Sequence, residues 1–166
     1  MKEKYMVRTR ANVIFKKSMR SYFGMDRDYT KPFEVYAVLG CCFLLSRGCA
    51  MAVTPFDAYP FLYEEEFMLG IRMEQLGSRT VCEPQAAVRH LCGGSTRYRQ
   101  AFAFAHNVRS ELYYCRQYLH AGKWQVYPLY CYRVLSYLAR CFGNKDFRQK
   151  WKWFLKMTRE EWGRYE

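Results

Sequence analysis

The sequence predicts an α/β layer followed by a helical appendage. Three observations carry that expectation: an apolar, partly β-branched run at Val35–Ser46; a helical pattern after an intervening loop; and three long helical patterns in succession towards the C-terminus. At 166 residues and 51% hydrophobic content, the chain can build one domain with a real core, and it is too apolar to be wholly disordered. Fifteen tyrosines and twelve phenylalanines foretell aromatic-rich packing.

Taken in order, residues 1–32 are basic with weak periodicity, and suit an N-terminal helix or irregular segment ending near Pro32. Val35–Ser46 has the character of a buried strand, in which Cys41 and Cys42 would point to opposite faces. Arg47–Pro60 carries Gly48, Pro55 and Asp57, the punctuation of a loop. A helix is expected from Glu64 to Leu76, where Phe67, Met68 and Ile71 share a stripe; three glutamates open it and Gly77 supplies a left-handed stop. Arg79–Glu83 and Ala86–His90 suit short extended pieces, and Gly93–Thr96 a flexible loop. Helices should then occupy about 98–120, 123–142 and 145–162, separated by Gly122 and by Gly143-Asn144.

The net charge of +12 is unevenly spread. Residues 1–30 hold eight Lys/Arg against three Asp/Glu (+5), residues 31–96 five against seven (−2), and residues 97–166 fourteen against five (+9). Basic flanks suit an anionic partner such as a membrane surface, nucleic acid or a diphosphate, and the acidic middle is the more natural place for proton chemistry. The charged N-terminus lacks the apolar core of a signal peptide. The longest apolar run, the 11 residues Val35–Leu45, falls short of the roughly 20 that span a bilayer, so membrane contact is expected to be peripheral. Eight cysteines with neither a Cys-x-x-Cys pair nor His at zinc spacing suit buried thiols in a reducing cytoplasm.

The spacing also brings acidic residues together. A helix of about 12 residues and a returning strand of five or six cover similar distances, roughly 18 Å. Glu64–Glu66 and Glu83 would then share one edge of the sheet, within reach of His90. Acids at a helix start are commonly there for the dipole, worth about 0.3–1 kcal/mol each. The functional alternative is a general base facing a cleft, kept ionised by that same dipole. Successive helical side chains diverge by about 100°, so at most one or two of the three can face one cleft. A lone His such as His90 is more commonly structural than a ligand, and no second His stands at metal spacing. Gly93-Gly94-Ser95-Thr96 could offer amides to phosphate, but lacks the Gly-Lys-Ser/Thr ending of a P-loop. Lys150-Trp151-Lys152-Trp153-Phe154, with Lys156 and Trp162, suits first a helix packing its aromatic face on the domain. An anionic membrane surface is the next alternative for it and nucleic acid the least favoured.

Ordered blocks in the middle of the chain resemble glycosyltransferase family 2, the inverting GT-A-fold enzymes. Val38-Leu39-Gly40-Cys41-Cys42-Phe43-Leu44-Leu45 looks like the family's strand entering the acceptor site, and Phe56-Asp57 like the loop after it. Phe61-Leu62-Tyr63-Glu64-Glu65-Glu66-Phe67 is similar to the Phe-Leu-Tyr-x-Glu-Asp segment. Pro84, Val88-x-His90 and Gly94-Ser95 follow the Pro…Val-x-His…Gly-x-Ser order, and Ser110–Tyr114 looks like the start of the long helix beyond the catalytic domain. The likeness covers about residues 35–120 and is nearest to the rhamnosyltransferase-like branch that builds bacterial cell-surface polysaccharide.

This resemblance implies a partial GT-A-type mixed sheet with flanking helices in residues 1–96, the acceptor-side half of the domain, and a C-terminal helical region in 97–166. It implies Glu66 as the general base, where the family has Asp, with Glu65 as its acidic neighbour. His90 would help hold a divalent metal (Mn or Mg) or the nucleotide diphosphate, with Ser95 and Arg97 contacting phosphate. The family's nucleotide-binding βα units and Asp-x-Asp metal motif are not found; Asp26-Arg27-Asp28 has the letters without the apolar strand that should lead into it. The implied partners are a nucleotide-sugar donor, a glycan or lipid-linked acceptor, an anionic membrane surface and a separate chain carrying the nucleotide-binding half. The implied location is the cytoplasm, including the inner face of the cell membrane. A non-catalytic basic, aromatic module binding a membrane surface or nucleic acid is the alternative from another class.

Overall fold

The structure, a computed structural model, describes residues 25–91, 94, 96 and 98–165. It is mixed α/β but mostly helical: the described residues form five α-helices, one two-stranded antiparallel ladder and a final 3-10 turn. They fall into two compact units, residues 25–58 with Glu65–His90, and Tyr59–Glu64 with residues 91–165. The N-terminal helix or irregular segment anticipated over residues 1–32 lies, up to residue 24, outside the described residues, as do Ser95 and Arg97.

In the smaller unit, β1 (Phe33–Glu34) pairs antiparallel with β2 (Val81–Cys82) in the register Phe33 to Cys82 and Glu34 to Val81. The Val35 N–H donates to the Thr80 carbonyl at 2.9 Å, and Arg79 bridges to Glu34 on the surface. The buried strand expected over Val35–Ser46 does not form. That segment leaves the ladder after one further bond and runs as irregular chain, with Leu39 and Leu44 75% and 97% exposed. Cys41 and Cys42, expected within a buried strand, are both exposed in a turn. A strand forms only where a neighbour accepts its backbone bonds, and beyond Val35 no described strand does.

The expected loop at Arg47–Pro60 is in part a helix, α1 (Arg47–Val53). The Ser46 hydroxyl accepts from the Cys49 N–H at 3.2 Å as its N-cap, and Pro55 follows its last turn. The next helix, α2 (Glu65–Gln75), begins one residue later than the pattern suggests and ends at Gly77, whose φ of +66° is the anticipated left-handed stop. Leu69 and Met73 of α2 pack with Val53 of α1 in a small core flanked by Leu45 and Cys49. Another side of α2 meets the irregular segment through Gly70, where a Cβ would lie 2.4 Å from the Tyr36 carbonyl oxygen.

The helical unit holds the three helices that the periodicity foretells: α3 (Gln100–Gln117), α4 (Lys123–Gly143) and α5 (Lys145–Trp162). α5 packs against both others. Its core includes Val108, Leu112, Cys115, Val126, Leu129 and Phe154, with Tyr137 stacked on Phe154 at 3.9 Å between ring centroids. Polar groups tie the helices as well. Arg133 of α4 gives Glu111 of α3 two hydrogen bonds, 2.7 and 2.9 Å, in the interior. Arg116 of α3 reaches Glu161 of α5 at 3.0 Å. Asp146, in the first turn of α5, accepts the Ala101 N–H at 2.8 Å and so caps α3, whose own N-cap, Arg99, offers no side-chain acceptor. Burial would raise the Asp146 carboxyl, but bonds from Lys150 and the Ala101 amide outweigh it and hold the group below its ordinary value.

Candidate active site

The three glutamates of the central motif are divided between the two units. Glu64 is 1% exposed and belongs to the helical unit, where its charge acts on Arg133. Glu65 and Glu66 occupy the first turn of α2 in the smaller unit, Glu65 exposed and Glu66 half-buried. The break is made by backbone: Tyr63 and Glu64 have φ of +67° and +70°, left-handed values that cost side-chain-bearing residues roughly 1–2 kcal/mol each. Consecutive left-handed residues cannot extend a right-handed helix, which is why α2 starts at Glu65.

The preceding strap, Tyr59–Glu64, is pinned within the helical unit. Tyr59 donates to Glu161, stacks on Tyr113 at 4.2 Å, and carries the Arg109 guanidinium over its ring at 4.6 Å. Burial first, and the Glu161 bond second, push the Tyr59 phenol above its ordinary value. Phe61 packs edge-on to Phe102, and the Leu62 carbonyl accepts from the Ser110 hydroxyl at 2.7 Å. These anchors are what hold a strained turn in place.

Glu66 has one defined partner: its Oε1 accepts the Gly40 N–H at 2.9 Å. A Cβ on residue 40 would meet that oxygen at 2.7 Å, so the approach needs glycine. On the same side of α2, Phe67 faces Tyr36 with centroids 6.4 Å apart, and Gly70 lies against the Tyr36 carbonyl. The structure thus joins Gly40, in the Val38–Leu45 block, to Glu66, in the Phe61–Phe67 block and 26 residues further on, through the carboxylate that the resemblance implies as base. The Gly40 amide was not anticipated as its partner. The signal for it was present, since an isolated glycine in an apolar run marks a close backbone approach.

His90 is exposed on the irregular chain that follows β2, in the smaller unit with Glu65 and Glu66. Neither it nor Glu66 is sealed in an apolar interior. The extended piece expected at Ala86–His90 forms no strand; a turn closed by the Ala86 N–H on the Glu83 carbonyl opens it. Among the described residues no group of three or more His, Cys, Asp or Glu is arranged to hold a metal ion.

The aromatic residues of α5 are turned largely to packing. Trp153 lies parallel to Phe102 at 5.8 Å, Trp162 stacks on Tyr130 at 4.8 Å, and Phe154 is fully buried. No helix among the described residues is long and apolar enough to cross a membrane. What fold and site define is a mixed, mostly helical α/β protein with a carboxylate held at a helix start by a backbone amide. No protein-family model, curated protein or solved structure matches the chain.

Proposed function

We propose that this chain is the acceptor-side part of an inverting, family 2-like glycosyltransferase, with Glu66 as the general base. The observation that carries the reading is the Glu66–Gly40 hydrogen bond, which draws two blocks of the resemblance onto one carboxylate. With Oε1 engaged by an N–H, the carboxylate is oriented while Oε2 has no hydrogen-bond partner among the described residues. An oriented carboxylate with one oxygen available is what proton removal from an acceptor hydroxyl requires. In the reaction, that hydroxyl oxygen attacks the anomeric carbon of a nucleotide-sugar, its proton passes to Glu66, and the bond to the diphosphate breaks with inversion. Glu65, exposed one residue earlier, adds negative charge beside the base; His90, Ser95 and Arg97 are assigned to the diphosphate side.

The exposed apolar residues of the irregular segment support the same reading. Leu39, Phe43 and Leu44 lie exposed on the irregular segment that carries Gly40, the partner of Glu66. An apolar stretch so exposed is a surface for something to cover. We assign that cover to polypeptide bearing the nucleotide-binding half. The test is sugar transfer by the chain assembled with such a half, using radiolabelled nucleotide-sugars and a glycan or lipid-linked acceptor. Glu66→Gln should lower turnover about 10²–10⁴-fold with melting unchanged. Transfer that survives Glu66→Gln, or an assembled protein that transfers no sugar, would overturn the reading.

A further inference from the structure

The helical unit shows an apolar face in an unexpected place. Trp124, Pro128, Cys131, Leu135, Leu138 and Phe142 recur along α4 at spacings of four and three, and so line one side of the helix over about 27 Å. Trp124, Leu135 and Phe142 are 82%, 65% and 89% exposed, while Val126, Leu129, Arg133 and Tyr137 on the opposite side are buried. A helix apolar on both sides has a partner on both sides, and the described residues of the bundle supply only one.

The charges around the stripe say what the other is. α4 contains no Asp or Glu, and its one interior charge, Arg133, is spent on Glu111. Bases border the stripe on the α5 side. Lys123 reaches over the Trp162 ring at 5.9 Å, and Arg148 lies near enough to Cys141 for its charge to act on that thiol. Lys152 and Arg159 continue from Arg148 along one side of α5, both exposed. Among the described residues of the helical unit, eight Lys/Arg are exposed and one acid, Glu160; Glu111, Glu161 and Asp146 are engaged with bases. The helical unit of a second copy would bring bases against bases with Glu160 as the one exposed acid to answer them. Nucleic acid would gain no stacking from Leu135 and Leu138.

We propose that the helical unit docks on an anionic lipid surface, laying the α4 stripe in the interface with the bases of α5 against the headgroups. Trp124 near the start of α4, Phe142 at its end and leucines between suit a helix lying flat at that depth. The proposal stands independently of the transferase reading. It is tested by sedimenting the full chain with vesicles of phosphatidylcholine containing about one third phosphatidylglycerol, and with vesicles of phosphatidylcholine alone. Binding is expected on the anionic vesicles, weakened about tenfold or more without the anionic lipid. The pair Leu135→Glu and Phe142→Glu should lower it at least about tenfold while helicity and melting stay unchanged. The pair Arg148→Glu and Lys152→Glu should do so on anionic vesicles only. Three results overturn the proposal: vesicle binding indifferent to both pairs, a soluble dimer that Leu135→Glu converts to monomer, or salt-dependent RNA binding with no vesicle binding.

Discussion

Arg133 sits where its loss can be worked out. The side chain is 11% exposed and meets a Glu111 side chain that is fully buried, and the charge of Glu64, itself 1% exposed, acts on the same guanidinium. Arg133→Met removes one positive charge and leaves two buried carboxylates without it. Breaking a buried pair from one side costs about 3–5 kcal/mol, and the second acid places this case towards the upper end. Glu111→Gln removes less, because the charge of Glu64 still acts on the guanidinium and an amide oxygen can still accept. Its expected cost is about 2–3 kcal/mol, that of hydrogen bonds to a charged group. Combining Arg133→Leu with Glu111→Leu should cost well below the sum of the single changes, with a coupling of at least about 1 kcal/mol. Urea unfolding followed by helical circular dichroism measures all of these. If Arg133→Met costs under about 1 kcal/mol, or less than Glu111→Gln, the assignment of two acids to one buried base is wrong.

The two glycines facing α2 should behave differently. Gly40→Ala puts a methyl 2.7 Å from the end of a flexible side chain, so stability should hold within about 0.5 kcal/mol, while on the transferase proposal sugar transfer falls because the proposed base, Glu66, is displaced. Gly70→Ala drives the same methyl to 2.4 Å from a backbone carbonyl and should cost about 1–3 kcal/mol in a urea titration. His106 should impose a pH dependence. Burial first, and the charge of Arg109 second, hold its imidazole below the ordinary value of 6.5. The unfolded chain therefore takes up this proton first as pH falls. The contribution is full above about pH 6.5, is lost as pH drops from there through the folded value, and is abolished in His106→Phe. An NMR titration of the imidazole checks the direction; a midpoint above 6.5 would contradict it.

The helices were legible because each carries its own period and its own stop: Gly77 after α2, Gly122 before α4, and Asn144 between α4 and α5. The start of α2 was read one residue early because nothing in three adjacent glutamates tells which is turned away by a left-handed backbone. The apolar character of Val35–Ser46 predicts a strand, but pairing depends on a neighbour that composition does not reveal. α1 was hidden by Gly48 and Pro55, although Ser46 three residues before Cys49 is an N-cap pattern. At the candidate site, the carboxylate was named from the motif, while its backbone partner 26 residues away was not. The exposed stripe of α4 is not legible in the sequence because periodicity shows that a face is apolar without showing whether it is covered.

Asp146, Glu161 and Tyr165 meet α3 at Ala101, Arg116 and the Leu112 carbonyl, the last at 2.5 Å. Residues of the latest segment thus fasten the earliest helix of the bundle near both of its ends. On the ribosome the order is unhelpful: α3 and α4 emerge with Arg116 and the first amides of α3 still waiting for acceptors that have yet to be translated. A nascent chain paused between the two would offer wet polar groups and bare core together, which makes this stretch a natural client for a chaperone until α5 arrives.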